Sequence, residues 1–367
     1  MYNLPFYMVQ PGDTPERIAG RFGVQEIALY KANPFIKPGR LLVPGLQLQL
    51  PIIKTDFQWN PWDGQRIVQA SHDYGYPELC YQIGLLQRRY PFIGCEDIGG
   101  SADGRRIHAL CIGTGKKKIQ INASFHANEW ITTLLAMRFA EDYARALATK
   151  EELRIAGENE TLDVHALSRE VTLWIVPMVN PDGVELVQNG LNEAHPRYEE
   201  LRSLNPDGAD YSGWKANING VDLNDQFPAH WEEEVRRRGH DGPGPRDYPG
   251  LAPLSEPEAK AVYDFTIKQQ FAMVLALHTQ GQEIYWNYRG YEPANAELIA
   301  GRLAAASGYV AVKLEGSDAG FKDWFIQEFG RPGFTVEAGL GVNPLPIGQF
   351  DEIYVGIQKL LLTALRL

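Results

Sequence analysis

Lys118-Ile119-Gln120-Ile121-Asn122-Ala123-Ser124 runs directly into Phe125-His126-Ala127-Asn128-Glu129-Trp130. The first run reads as an apolar strand, and the periodic segment Trp130–Leu147 that follows reads as an amphipathic helix. His126 and Glu129 therefore fall on a strand-to-helix junction. Sites in open α/β sheets collect outside the carboxyl ends of strands, so a His and a Glu placed there can share a metal ion. Further strand-like runs occupy Ile107–Ile112, Val171–Val176, Met273–Leu277 and Phe334–Val336. Helical periodicity recurs at Glu256–Gln270, Ala294–Ala306 and Gly348–Leu365. Strands alternating with helices predict an α/β fold, a mixed and mostly parallel sheet covered by helices.

Taken alone, His-x-x-Glu is a weak signal. A second His, His278, stands immediately after the apolar run Leu275-Ala276-Leu277. Two His and one Glu delivered from strand ends make the ligand set of a catalytic zinc site, with the fourth position open. Glu337 closes another apolar run, Gly333-Phe334-Thr335-Val336. A charge there is costly unless it is used or paired, and a carboxylate beside the metal suits a proton-shuttling base.

The 367-residue chain carries 35 Lys and Arg against 46 Asp and Glu, a formal charge of −11. This balance argues against a nucleic-acid partner, whose phosphates need cationic neutralisation. No apolar run reaches the roughly 18 residues of a membrane span. Cys80, Cys95 and Cys111 form no CxxC pair, so neither a disulfide framework nor a cysteine zinc knuckle is expected. A reducing compartment suits such thiols. Met1–Pro5 shows no basic stretch leading into an apolar one, so no secretory signal is visible.

Residues 1–51 read as a separate unit. Phe6–Gln10 forms a strand, Pro11-Gly12-Asp13-Thr14 a turn, and Thr14-Pro15-Glu16 the start of a helix carrying Ile18 and Phe22. A second helix ends at Asn33-Pro34, and Val43-Pro44-Gly45 leads into an alternating strand that ends at Pro51. This order of strand, helix, helix, strand, with these motifs, resembles the LysM family. The resemblance implies binding of N-acetylglucosamine-containing glycans such as peptidoglycan or chitin, with Gly12, Asp13, Thr14, Asn33 and Pro34 on the rim. Residues 52–62 are a linker whose Phe57, Trp59 and Trp62 are expected to pack on one of the two units.

Residues 63–367 are the expected catalytic unit. Within it, 182–254 is rich in Gly, Pro and charge and is expected to form the rim of the site. Its run Glu232-Glu233-Glu234 to Arg236-Arg237-Arg238 is expected to be a solvated helix face. From about residue 70 onward the chain resembles the zinc metallocarboxypeptidase family. The resemblance rests on His126, Glu129, His278 and Glu337, on Val176-Pro177-Met178-Val179-Asn180-Pro181-Asp182-Gly183, and on Gly220-Val221-Asp222-Leu223-Asn224. Trp214-Lys215-Ala216-Asn217, Tyr248-Pro249-Gly250 and Ser255-Glu256-Pro257-Glu258 add to it. It implies one zinc per chain, held by His126, Glu129 and His278, with Glu337 as general base and acid.

The departures from the family carry the substrate expectation. Lys215 stands where the family has an arginine that supports the oxyanion, which leaves positive charge without a planar fork. Exopeptidase members carry Asn-Arg at Asn224-Asp225, and Asp225 there should repel a terminal carboxylate. The family's mobile tyrosine falls at Glu315, and the residue reading the side chain after the cut bond falls at Lys322. With the LysM unit, the resemblance implies a zinc peptidase hydrolysing the γ-D-glutamyl–diamino acid bond of peptidoglycan stem peptides or muropeptides. The diamino acid, meso-diaminopimelate or lysine, stays open. Asp225 or Glu315 would meet its ammonium, and Lys322 or Lys215 the α-carboxylate of D-Glu. The alternative is a zinc carboxypeptidase trimming ordinary peptides. An inactive wall-binding protein would need a missing ligand or base, and none is missing. Localisation is left between the cytoplasm and the wall or spore, and oligomeric state is open.

Overall fold

The computed structural model describes residues 6–9, 12–22, 24, 26–37, 42–51, 66–70, 74–149, 153–154, 161–205, 208–240 and 242–367. The expected linker, 52–62, lies outside the described residues. The N-terminal unit pairs β1 (Phe6–Met8) with β2 (Gln47–Gln49) in an antiparallel ladder, Tyr7 opposite Leu48. Between them lie α1 (Pro15–Arg21) and α2 (Glu26–Ala32). Thr14 caps α1, its Oγ1 accepting from the Arg17 backbone N–H. Tyr7, Val9, Ile18, Leu29, Leu48 and Leu50 make a buried core. That core continues into the larger unit, because Tyr81 and Leu85 of α3 (Tyr76–Arg89) pack into it. Phe22 meets Tyr81 edge-on at 5.5 Å, and Arg21 Nε lies 3.1 Å from Glu78 of α3.

The larger unit continues with β3 (Gly94–Gly100), β4 (Arg106–Ile112), β5 (Lys117–Ala123) and α4 (Ile131–Thr149). A two-stranded ribbon, β6 (Leu153–Arg154) with β7 (Thr161–Leu162), precedes α5 (Val164–Glu170) and β8 (Val171–Val176). The segment expected to be irregular carries α6 (Pro181–Asn189), α7 (Tyr198–Leu204) and α8 (Trp231–Arg238). There follow α9 (Pro257–Gln269), β9 (Met273–His278), β10 (Glu283–Tyr285), α10 (Ala296–Ser307) and β11 (Val310–Val312). The chain ends with α11 (Phe321–Phe329), β12 (Gly333–Glu337) and α12 (Phe350–Arg366).

Eight strands form one sheet in the order β11-β10-β12-β9-β5-β8-β4-β3. β12, β9, β5 and β8 are mutually parallel, as are β10 and β11, whereas β10–β12, β8–β4 and β4–β3 are antiparallel. The sheet is thus mixed with a parallel centre, as expected. One face is covered by α3, α4, α5, α10 and α12, the other by α9 and α11. Strands covered on both faces need apolar residues at every position, and β8 and β9 are buried at all of theirs. Connections through helices return each central strand in the same direction, so β5, β9 and β12 end side by side. Register pairs Ala123 with Leu277 and His278 with Glu337.

Candidate metal and catalytic centre

The backbone leaves β5 through Ser124, whose φ of 50° lies in the left-handed region. That conformation costs a residue with a side chain, and it is held by surrounding bonds. Thr132 Oγ1 accepts from Ser124 N–H at 2.9 Å, and the Ser124 hydroxyl lies 2.7 Å from that of Thr133. The bend turns Phe125 inward and starts the single 3-10 turn Ala127–Glu129 with His126 at its head. Asn180, capping α6, donates through Nδ2 to the carbonyls of Phe125 and Ala216, and so ties the His126 and Lys215 segments together.

His126, Glu129 and His278 are buried and bring their donor atoms within 4.8 Å of one another. His126 Nδ1 lies 2.8 Å from Glu129 Oε1, His278 Nδ1 lies 3.0 Å from Glu129 Oε2, and the two Nδ1 atoms are 3.1 Å apart. Two imidazole nitrogens facing each other against one carboxylate could hold a shared metal ion, and the donor set suits zinc. Burial disfavours charge on Glu129, but His126 and His278 outweigh it and hold this carboxylate below its ordinary range. Thr279 N–H donates to Glu129 Oε2 at 3.2 Å, and Phe125 stacks on His278 at 5.9 Å, which fixes both ligands.

Behind the ligands sits Asp222, which sequence reasoning quoted only within a motif. Its Oδ1 lies 3.2 Å from His126 Nε2 and its Oδ2 lies 2.7 Å from Lys215 Nζ. A carboxylate on the far nitrogen fixes the tautomer of a ligating imidazole. Tyr248 O accepts from Asp222 N–H, and Gln226 Nε2 donates to Pro249 O, so the Tyr248-Pro249-Gly250 run serves to seat Asp222. Burial resists charge on Lys215, but Asp222 and further acids raise its pKa above the usual lysine value. Glu337, at the end of β12, is pushed up to about 8 by burial, with His278 opposing.

The substrate-facing expectations fare unevenly. Asp225 is buried and turned onto Arg238, Oδ2 to Nε at 2.8 Å, so it presents no free anion for an ammonium. Burial and Asp222 push its carboxyl up to about 8, with Arg238 opposing. The reason lies in α8, whose charge run is not simply a solvated face: Glu234 is buried and Arg238 reaches back to the site. Nothing in the sequence set Arg238 apart from its neighbours. Asn224 Oδ1 accepts from Phe321 N–H at 3.3 Å, placing it against α11. Lys322 is buried, Nζ donating to Asn287 O at 2.7 Å and lying 2.5 Å from Asp323 Oδ1. Glu315 is exposed on a groove of about 370 Å³ that Asn287, Tyr288, Lys313 and Asp318 also line.

On the N-terminal unit, Gly12 and Pro34 are exposed and Asp13 and Thr14 half-buried. Asp13 accepts from the Tyr7 hydroxyl. Asn33 is buried, its amide bonded to Leu29 O, Gln49 O and Gln49 N–H, so it joins α2 to β2 and does not lie on the surface.

A sheet whose central strand ends deliver two His, a Glu and a further carboxylate is that of a zinc peptidase. The chain belongs to the zinc carboxypeptidase family, which residues 82–339 match, and residues 7–51 match the LysM domain. The family is zinc-dependent. Gamma-D-glutamyl-L-diamino acid endopeptidase 1 of Lysinibacillus sphaericus is 48% identical over 289 residues, 79% of this chain and 71% of that protein. An uncharacterized protein of Bacillus subtilis strain 168 is 43% identical over 280 residues, 75% of this chain and 73% of its own length. Thrombin-activatable fibrinolysis inhibitor shares the fold with a TM-score of 0.63 at 20% identity, over 84% of this chain and 79% of its own.

Proposed function

We propose that this zinc peptidase hydrolyses the γ-D-glutamyl–diamino acid bond of peptidoglycan stem peptides, brought to wall glycan by its LysM unit. The observation that carries the reading is the 48% identity, across most of both chains, with the Lysinibacillus endopeptidase. One zinc per chain would be held by His126 Nδ1, Glu129 and His278 Nδ1. When bound it supplies a Lewis acid for the scissile carbonyl and eases deprotonation of water. Glu337 takes the proton of the attacking water and passes it to the leaving nitrogen, while Lys215 meets the charge developing on the carbonyl oxygen. Glu315 on the open groove is available to an ammonium, whereas Lys322 is buried on Asn287 O and Asp323 and offers no free cation to a carboxylate. Asn224 positions α11 beside them. Gly12, Thr14 and Pro34 form the glycan rim, with Asp13 and Asn33 shaping it.

The test is to incubate zinc-loaded protein with L-Ala-γ-D-Glu-meso-diaminopimelate and with a standard peptide, and to identify products by mass. Release of L-Ala-D-Glu from the first alone supports the reading. Trimming of the standard peptide alone overturns it. A lysine analogue of the tripeptide decides between the two diamino acids.

A further inference from the structure

Arg238 is the last residue of α8, and its guanidinium stands between acids behind it and solvent in front. The Asp225 and Glu234 side chains are 4% and 2% exposed, whereas that of Arg238 is 29% exposed. Nε lies 2.8 Å from both Asp225 Oδ2 and Glu234 Oε1. Asp225 thus anchors an arginine that arrives from a different element. A cation in the last turn of a helix is also favoured by the helix dipole.

The outer edge of that guanidinium meets a second cation across one oxygen. Arg238 Nη1 donates to Asp247 Oδ1 at 3.2 Å, and Lys215 Nζ lies 3.4 Å from the same atom. Asp247 holds this position at a φ of 63°, a left-handed conformation uncommon for a residue with a side chain. Its loop is fixed on both sides: Pro245 O accepts from Lys215 and Ala216 N–H, and Tyr248 O accepts from Asp222 N–H. The chain's own carboxylate is therefore seated between an ammonium and a guanidinium. This point is reached from the metal ligands in two steps, His126 to Asp222 and Asp222 to Lys215.

We infer that Lys215 and Arg238 form a carboxylate subsite for the leaving residue, with the side chain of Asp247 holding that position in the free protein. The residue at the family's clamp position, Asp225, binds no substrate itself but positions Arg238. The sign of charge offered to substrate is positive, the reverse of what Asp225 alone suggests. Within the γ-D-glutamyl reading, on which the identity of the leaving residue rests, the carboxylate is the one on the carbon bearing the scissile nitrogen. Lys215 then lies toward the carbonyl and Arg238 toward the carboxylate.

The experiment compares wild type, Arg238→Gln and the double variant Asp225→Asn with Arg238→Gln. Substrates are L-Ala-γ-D-Glu-meso-diaminopimelate and the same peptide amidated at that carboxylate. Arg238→Gln is expected to raise KM for the acid by roughly 10–100-fold, the loss of a charge-assisted pair, and to leave KM for the amide unchanged. Asp247→Asn should lower KM for the acid, because the self-occupying charge is gone. The double variant guards against misfolding, since it removes buried Asp225 together with its partner while Glu234 keeps Arg237. A folded double variant that still prefers the acid overturns the subsite, as does an equal loss on both substrates. If wild type cleaves only ordinary peptides, the γ-D-glutamyl reading fails, and the acid-to-amide comparison is then made on an ordinary peptide with the same criterion.

Discussion

Glu337 illustrates how a single position obtains its chemistry. It ends a strand buried on both faces, and without a cation burial pushes its carboxyl up to about 8. A dication at the neighbouring ligands favours the ionised form that accepts a proton. If Glu337 is the base proposed above, activity should fall as pH drops through its pKa in the loaded enzyme, because protonation removes the proton acceptor. Glu337→Gln should cost roughly 10²–10⁴-fold in kcat while zinc content and glycan binding are retained, the latter read by pull-down on peptidoglycan. Loss of glycan binding with it would contradict two separable functions. Asp222 acts through His126, so Asp222→Asn should weaken zinc by roughly 10–100-fold in chelator competition. Removing zinc should also lower Tm, since a ligand bound only by the folded chain stabilises it.

At the scale of elements, what matters is how loops are clamped to the ends of β5 and β9. The Asn180-Pro181-Asp182-Gly183 run is one clamp. Asn180 bonds Phe125 and Ala216, and Asp182 accepts from Ser101, Asp103 N–H and Arg105. A Cβ on Gly183 would lie 2.6 Å from Ala216 O, a backbone atom that cannot move aside cheaply. Gly183→Ala should therefore destabilise by about 1–3 kcal/mol in denaturant unfolding and loosen the Lys215 segment, lowering kcat. The fully buried strands and the long helices α4, α9, α10 and α12 were legible because their periodicity is sustained. α11 was not, because Lys322 and Asp323 interrupt its apolar pattern and yet are buried, satisfying each other. β3 was hidden by its three glycines and two acids, which suit a half-exposed edge strand with a bulge near Asp97–Gly99.

Across the whole molecule, the LysM unit is docked on α3. Its Arg21 bridges the Tyr7 hydroxyl and Glu78, and Glu78 lies near Glu185 of α6. Gly75, lacking a Cβ, lets Glu185 reach the α3 N-terminus, where Oε1 accepts from Tyr76 N–H. Burial, then Glu185, push Glu78 up to about 7 even with Arg21 opposing. A carboxyl raised in this way favours folding below its unfolded pKa, and that contribution is lost as pH rises through about 7. Above that pH the buried charge depends on Arg21. Arg21→Met should accordingly change stability little near pH 5 and cost about 1–3 kcal/mol near pH 8.5, measured by urea unfolding at both. An equal loss at both pH values would mean that Arg21 acts by packing alone.

Sequence by itself determined the α/β class, the LysM unit and the His126, Glu129 and His278 group that could hold a metal. These depend on local periodicity and on residue types at strand ends, both of which are properties of short segments. Only the tertiary structure decided what surrounds them. Asp222 behind His126, Arg238 paired with Asp225, Asn33 turned inward and Arg21 set against Glu78 all join residues that are not neighbours in the chain. The charge a position offers depends on which partner burial brings to it, and no spacing rule in one sequence carries that.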